Sequence, residues 1–119
     1  MIRAAALLAL LATAPAGAAG LSPELIRCAA FWYGAADFRT RFPRVSEPPD
    51  GVLQIAREFR DRAVALEGSA EGVDAAIARD RRDMARMNEA FVFATDAETI
   101  RLWERIAQRC EMLRSSQAG

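Results

Sequence analysis

Two cysteines, Cys28 and Cys110, constrain the fold of this chain more than any other feature of the sequence. They lie near opposite ends of the segment that follows an apolar leader, and an exported chain with two cysteines generally pairs them. Cys28 falls shortly after the start of the first predicted helix, and Cys110 falls shortly before the end of the last. The sequence therefore predicts one disulfide between the first and last helices. Two reduced cysteines or an intermolecular bond are the alternatives.

Residues 1–20 have the pattern of a secretory signal peptide. Arg3 provides a minimal positive start, residues 4–13 are apolar, and Pro15 precedes a run of small residues at 16–20. The apolar stretch is too short to cross about 30 Å of hydrocarbon as a helix. The pattern therefore predicts a cleaved export signal, and an uncleaved N-terminal anchor is the alternative.

Cleavage is expected near residues 18–20, where small side chains satisfy the signal peptidase pattern. It would leave a single helical domain over 21–114 and a flexible C-terminal tail over 115–119. Because no later segment is apolar for 18 residues, we expect no stable membrane anchor after signal cleavage. The predicted location is periplasmic or secreted.

The charged residues are balanced and chemically limited. All 16 basic residues are Arg, there are 16 acidic residues, and His is absent. Removal of Arg3 with the signal leaves 16 − 1 = 15 basic residues against 16 acidic ones, a formal charge of −1. This interspersed balance argues against a nucleic acid partner, which requires a concentrated basic patch.

The absence of His and Lys removes imidazole triads, His-ligated metals and Schiff-base chemistry. Pairing of the two cysteines would also remove a thiol nucleophile. We therefore predict a protein without catalytic residues, cofactor or metal. A carboxylate-based enzyme is the third-ranked alternative, and it would need two acidic side chains facing each other across a cleft.

Apolar residues recur at helical spacing and no run alternates with period two, which predicts an all-α fold. Four helices are predicted, over 22–42, 51–67, 70–93 and 95–114. The predicted caps are Ser22, Asp50 and Ser69 at helix starts, Gly68 at the end of the second helix, and a capping box of Thr95 and Glu98. Short connections favour antiparallel neighbours, so we expect an antiparallel, up-down-up-down four-helix bundle.

Three consecutive aromatic residues, Phe31, Trp32 and Tyr33, point to three different faces of the first predicted helix. One interpretation is that this helix is packed on two sides. The other is an exposed aromatic surface for a protein partner. The small residues that follow would permit close helix approach, so the predicted partner is another protein or a second copy of the chain.

A second candidate site is an apolar pocket between the helices. Its predicted lining residues are Phe38, Phe59, Met84, Met87 and Trp103. A carrier of an apolar small molecule would need a cavity of several hundred Å³ there. Met84 and Met87 also have the spacing of a soft-ligand site for Cu(I), although packing of methionines in a core is the commoner outcome.

The third predicted helix carries a dense cluster of charges between Arg79 and Arg86. This cluster is either a solvated helix face or a binding surface for an acidic partner or ligand. Asp80 falls between the apolar residues Ile77 and Met84. It either meets water at the edge of the apolar stripe or, if buried beside another carboxylate, becomes a proton acceptor.

The features together favour a non-enzymatic exported interaction protein that uses an apolar or aromatic helical surface. A chaperone-like variant would expose apolar faces when carboxylates protonate. Its helical plan with one disulfide is similar to that of the small acid-stress chaperones of the bacterial periplasm, a likeness of architecture without a shared motif. The alternative function is a small-molecule carrier that binds an apolar ligand between its helices.

Overall fold

A computed structural model describes residues 16–118, with side chains from 20 to 116. This part of the chain forms four α-helices and contains no strand. The helices are α1 (Ala16–Arg41), α2 (Asp50–Glu67), α3 (Ala70–Phe93) and α4 (Ala97–Ala118). The predicted all-α four-helix fold is confirmed.

Helix α1 is the central element, since it packs extensively against both α2 and α3. Every residue from Cys28 to Phe38 is at least partly buried. Small side chains, among them Ala29 and Ala30, allow the neighbouring helices to approach closely on several sides. The aromatic residues on three faces of α1 therefore all have packing partners.

The close approach of α1 and α3 is centred on Gly34, which is buried. A Cβ atom at Gly34 would lie only 2.7 Å from the backbone nitrogen of Ala85 and 2.7 Å from the Cβ of Met84. No side chain fits in this space, so the two backbones pack directly on each other. This crossing sets how the ends of α1 and α3 lie relative to each other.

The junction between α2 and α3 follows the predicted caps. Gly68 has a left-handed backbone conformation with φ 75°, which favours glycine, and its N–H donates to the Val64 carbonyl at 2.7 Å. The Ser69 hydroxyl accepts a hydrogen bond from the Gly72 N–H at 3.4 Å. Both predicted caps are confirmed.

Two predicted N-caps are wrong. Helix α1 begins at Ala16, so Ser22 lies inside it, and its hydroxyl donates to Oε1 of Glu67 at 2.9 Å. This hydrogen bond joins the early part of α1 to the end of α2. Asp50 is the first residue of α2, and Pro49 occupies the cap position without a side-chain hydrogen bond.

The predicted capping box at the start of α4 is also wrong, because Thr95 closes the preceding helix. Ala94 adopts the left-handed conformation with φ 52°, and the Thr95 N–H donates to the Ala90 carbonyl at 3.1 Å. The cap is instead Asp96, whose carboxylate accepts from the Thr99 N–H at 3.2 Å and from the Thr99 hydroxyl. Helix α4 continues to Ala118, beyond the predicted helix end at 114.

The disulfide between Cys28 and Cys110 joins α1 to α4, with a Cα–Cα distance of 5.5 Å. This confirms the predicted link between the first and last helices. The up-down-up-down course stays a prediction. The signal peptide predicted over 1–20 falls mainly outside the described residues, and 16–20 form the first part of α1.

Candidate functional site

The predicted aromatic surface is largely interior. Phe31 is 1% exposed, and its ring meets Trp32 edge to face at a centroid distance of 5.1 Å. Trp32 and Tyr33 are partly buried, and both pack against the main core. The guanidinium of Arg81 also covers the Tyr33 ring at 4.8 Å. Only parts of Trp32 and Tyr33 are therefore accessible to a partner.

The residues of the predicted apolar pocket are packed in two places. Phe59 and Met84 belong to the main core, and Met87 and Trp103 pack against it. Phe38 instead lies with the aromatic rings near the ends of α1 and α3. Phe59 lines a groove between α2 and α4, Phe38 lines a groove between α1 and α3, and neither groove contains another of the five side chains.

Trp103 shows how this part of the core is filled. Its ring stacks on Phe91 with a centroid distance of 3.7 Å and an interplanar angle of 11°. Its Nε1–H donates to Oδ1 of Asn88 at 2.9 Å, which provides a partner for a buried polar side chain. Met84, the first methionine of the predicted Cu(I) pair, is 7% exposed in the same core. Within residues 20–116, no three His, Cys, Asp or Glu side chains form a metal-binding group.

Three Arg–carboxylate pairs link different helices, each through two hydrogen bonds to the same carboxylate. The pairs are Glu24–Arg109, Asp37–Arg81 and Asp74–Arg60. Hydrogen bonding from Arg109 lowers the pKa of Glu24 below its ordinary value. Hydrogen bonding from Arg60 lowers the pKa of Asp74 in the same way. Asp80 is exposed, as expected for a position at the edge of the apolar stripe.

Replacement of Glu24 by Gln is expected to reduce the acid dependence of stability. Because the folded state lowers the pKa of Glu24, the pair with Arg109 stabilises the protein above the unfolded pKa of about 4.3. That contribution is lost as the pH falls through the lower folded value. Urea unfolding between neutral pH and about pH 3 should therefore show a shallower loss of stability in Glu24→Gln than in the wild type. Glu104→Gln, at an exposed position of α4, is the control, and equal slopes in all three proteins would contradict the expectation.

An exposed aromatic cluster lies where α1 and α3 both end. We call it the aromatic tip, and it comprises Phe42, Val45, Val92 and Phe93. The rings of Phe42 and Phe93 meet at a centroid distance of 5.3 Å, and Phe38 packs beneath them at 4.9 and 5.8 Å. Phe93 is 43% exposed, so a large aromatic side chain faces water in a fixed position.

The sequence analysis missed the aromatic tip. Phe42 and Phe93 are visible in the sequence as apolar residues at the ends of two predicted helices. Their contact depends on how α1 and α3 cross at Gly34, which no local pattern specifies. The one local signal was that both predicted helices, over 22–42 and 70–93, end at a phenylalanine that is followed by turn residues.

A groove of about 260 Å³ runs between α1 and α3 next to the aromatic tip. We call it the arginine groove. Its lining residues are Asp37, Phe38, Arg41, Phe42, Arg82, Ala85, Arg86 and Glu89. The guanidinium of Arg41 lies 5.2 Å from the centre of the Phe42 ring, so the groove and the tip share an aromatic wall.

The acidic residue Asp37 does not neutralise the arginine groove, because it is already paired. Its two carboxylate oxygens accept hydrogen bonds from Arg81 at 2.7 and 2.8 Å. The nearest approach of Arg86 to Asp83 is 3.9 Å, a long contact between two well-exposed side chains. Such exposed pairs are weak. The groove therefore offers Arg41, Arg82 and Arg86 to an incoming anionic group, with Glu89 as an opposing charge.

A further groove of about 670 Å³ lies between α2 and α4. Arg62 lies along it, with its guanidinium 5.4 Å from the Phe59 ring centre and a hydrogen bond of 3.4 Å to the Leu113 carbonyl. Burial lowers the pKa of Arg62 from its ordinary value. Arg62 thus has contacts with both helices and serves as a structural link across the groove.

Comparison with protein-family models, curated proteins and solved structures found no match. Within residues 16–118, no helix has both the length and the hydropathy needed to cross a membrane.

Proposed function

We propose that this is a non-enzymatic exported protein that binds another protein through the aromatic tip. The observation that carries the proposal is the contact between the partly buried Phe42 and Phe93, whose ring is 43% exposed. Aromatic side chains are enriched among the residues that contribute most to protein–protein binding. Val45 and Val92, which follow Phe42 by three residues and precede Phe93 by one, are 55% and 42% exposed.

The packing of the tip makes it suited to binding. Phe38 is 3% exposed and supports both Phe42 and Phe93 from below. Rings that are held before binding lose less conformational freedom when a partner covers them. Burial of the exposed ring faces would favour binding, and only the surplus over the cost of association appears as affinity.

The chemistry of the chain supports a role without catalysis. Neither His nor Lys is present, so imidazole and amine catalysis have no residue to use. Cys28 and Cys110 are both 1% exposed and joined in a disulfide. That disulfide and the predicted signal peptide support the proposed periplasmic or secreted location.

A chaperone-like form of this function would combine the aromatic tip with surfaces released in acid. Glu24 and Arg109 hold α1 and α4 together beside the disulfide. Because the pKa of Glu24 is lowered, this link would persist until the medium is strongly acidic. Acid would therefore be a signal for this form of the function only at a pH below the ordinary pKa of a glutamate carboxyl group.

Photo-crosslinking from the tip tests the proposed function. A photo-reactive phenylalanine analogue placed at position 93 in cells that export the full chain should give a discrete adduct with one protein, identified by mass spectrometry. The same analogue at Leu66 is the matched control, since Leu66 is an apolar residue on α2 with 47% exposure. We expect no comparable adduct from position 66.

The identified partner then allows a direct binding measurement. Phe93→Ser should weaken its binding at least tenfold, whereas Leu66→Ser should leave it unchanged. Circular dichroism would verify that both variants retain their helices. The proposal fails if position 93 gives no discrete adduct, or if positions 66 and 93 give the same set of adducts. Recovery of a tightly bound apolar small molecule with the purified protein would instead support the carrier function.

A further inference from the structure

We infer that the arginine groove binds an acidic amphipathic helix of the partner protein, whose apolar face covers the aromatic tip. This inference rests on the proposed function and specifies the chemistry of the partner. It assigns a role to the charge-dense face of α3, whose arginines Arg82 and Arg86 line the groove.

The shape of the groove fits the side chains of a helix. On α3 the lining residues lie at positions 82, 85, 86 and 89, which follow one helix face over about 10 Å at 1.5 Å per residue. On the other side of the groove they are Asp37, Phe38 and Arg41 of α1, and Phe42, which follows α1 directly. A third helix can lay its apolar face in such a groove between two packed helices.

The volume argues for side chains as the occupants. At about 260 Å³ the groove falls below the range of about 300–1,000 Å³ that is usual for small-molecule sites. It is also open along its length between α1 and α3. A peptide helix could place two or three side chains in it and keep the rest of its surface in contact with solvent.

The charge of the groove selects an acidic occupant. Arg82 and Arg86 lie four residues apart on α3, and Arg41 faces them from the end of α1. A guanidinium can donate two parallel hydrogen bonds to one carboxylate, as Arg81 does to Asp37 beside the groove. Glutamates spaced three or four residues apart on the partner helix would present their carboxylates at matching intervals.

The aromatic tip continues directly from the groove. Phe42 lines the groove and also contacts Phe93 at the tip. A helix that pairs its carboxylates with the arginines would therefore place an apolar residue of its next turn against these rings. The combination of an acidic face with an apolar anchor is the expected signature of the partner.

Binding of designed peptides by the exported form of the protein, from which the predicted signal peptide has been removed, tests the inference. The probe is a fluorescent helical peptide with Glu on one side and Leu and Phe on the adjacent side. The comparison peptides are one with Lys in place of Glu and one of the same composition in scrambled order. We expect saturable binding of the acidic amphipathic peptide alone, and we expect its affinity to fall as salt concentration rises.

Charge-reversal variants locate the binding site. Arg82→Glu combined with Arg86→Glu should weaken peptide binding at least tenfold. Arg57→Glu combined with Arg101→Glu makes the same change in net charge at exposed positions of α2 and α4, and it should change the affinity less than twofold. Circular dichroism and urea unfolding establish that both double variants are folded.

The outcomes separate this inference from the proposed function. If the crosslink from position 93 forms but the acidic peptide does not bind, the inference is overturned and the proposed function stands. If the scrambled peptide binds equally, or if both double variants behave alike, recognition does not take place in the arginine groove and the inference is overturned. Binding of anionic phospholipid vesicles with the same dependence on Arg82 and Arg86, and none of the peptide, would assign the groove to a membrane surface instead.

Discussion

Reduction of the disulfide between Cys28 and Cys110 is expected to lower the free energy of unfolding by about 3 to 4 kcal/mol. The cross-link closes a loop between residues 82 positions apart, so it removes many conformations from the unfolded chain. Small single domains have a total stability of about 5 to 15 kcal/mol, so the loss is a large part of it. Helix α4 also depends on the link more than the other helices do, because it packs less extensively on α1 than α2 and α3 do.

Urea unfolding followed by circular dichroism, with and without a dithiol reductant, measures this effect. The double variant Cys28→Ala and Cys110→Ala serves as the control, because it lacks the cross-link and should be insensitive to reductant. Its stability should be close to that of the reduced wild type, with a further small loss from the two buried sulfur atoms. An oxidised wild type that is no more stable than the reduced one would show that the disulfide does not constrain the unfolded chain.

Local patterns predicted the features that depend on a few neighbouring residues. The end of α2 at Glu67 and the start of α3 at Ala70 were predicted correctly, because Gly68 and Ser69 have strong and specific roles at helix termini. The pairing of the cysteines was predictable because only one intramolecular pair exists. These inferences required no knowledge of how the helices are arranged.

Competition between adjacent residues explains the errors at helix ends. Thr95 and Asp96 can both cap a helix, and the sequence pattern favoured Thr95 because Glu98 follows three residues later. The structure uses the Thr95 N–H to close α3, so Asp96 is the residue left to cap α4. Which of two adjacent candidates acts as the cap depends on how the previous helix ends.

The aromatic tip and the arginine groove could not be predicted from local patterns. They form because α1 and α3 cross closely and bring Phe42 against Phe93, at positions far apart in the sequence. The sequence pattern favoured an aromatic surface at Phe31, Trp32 and Tyr33, because these three aromatic residues are consecutive. Their burial follows from the central position of α1, which is a property of the whole fold.

Replacement of Gly34 by Ala is expected to destabilise the protein by about 1 to 3 kcal/mol. The added Cβ would lie 2.7 Å from the backbone nitrogen of Ala85 and 2.8 Å from the carbonyl carbon of Met84, whereas carbon atoms pack at about 3.5 to 4.0 Å. Because these are backbone atoms, relief requires α1 and α3 to move apart. The resulting loss of packing must exceed the gain of about 1 kcal/mol that Ala brings to a helix interior.

Gly72→Ala is the matched control, and its expected effect has the opposite sign. A Cβ at Gly72 would meet only the hydroxyl oxygen of Ser69, at an ordinary distance of 3.8 Å. The helix propensity of Ala should then raise stability by up to about 1 kcal/mol. Urea unfolding of the two variants and the wild type measures both changes in the free energy of unfolding. If Gly34→Ala is as stable as the wild type, α1 and α3 do not cross as closely as the structure shows. The contact between Phe42 and Phe93 and the shape of the arginine groove would then lose their structural basis.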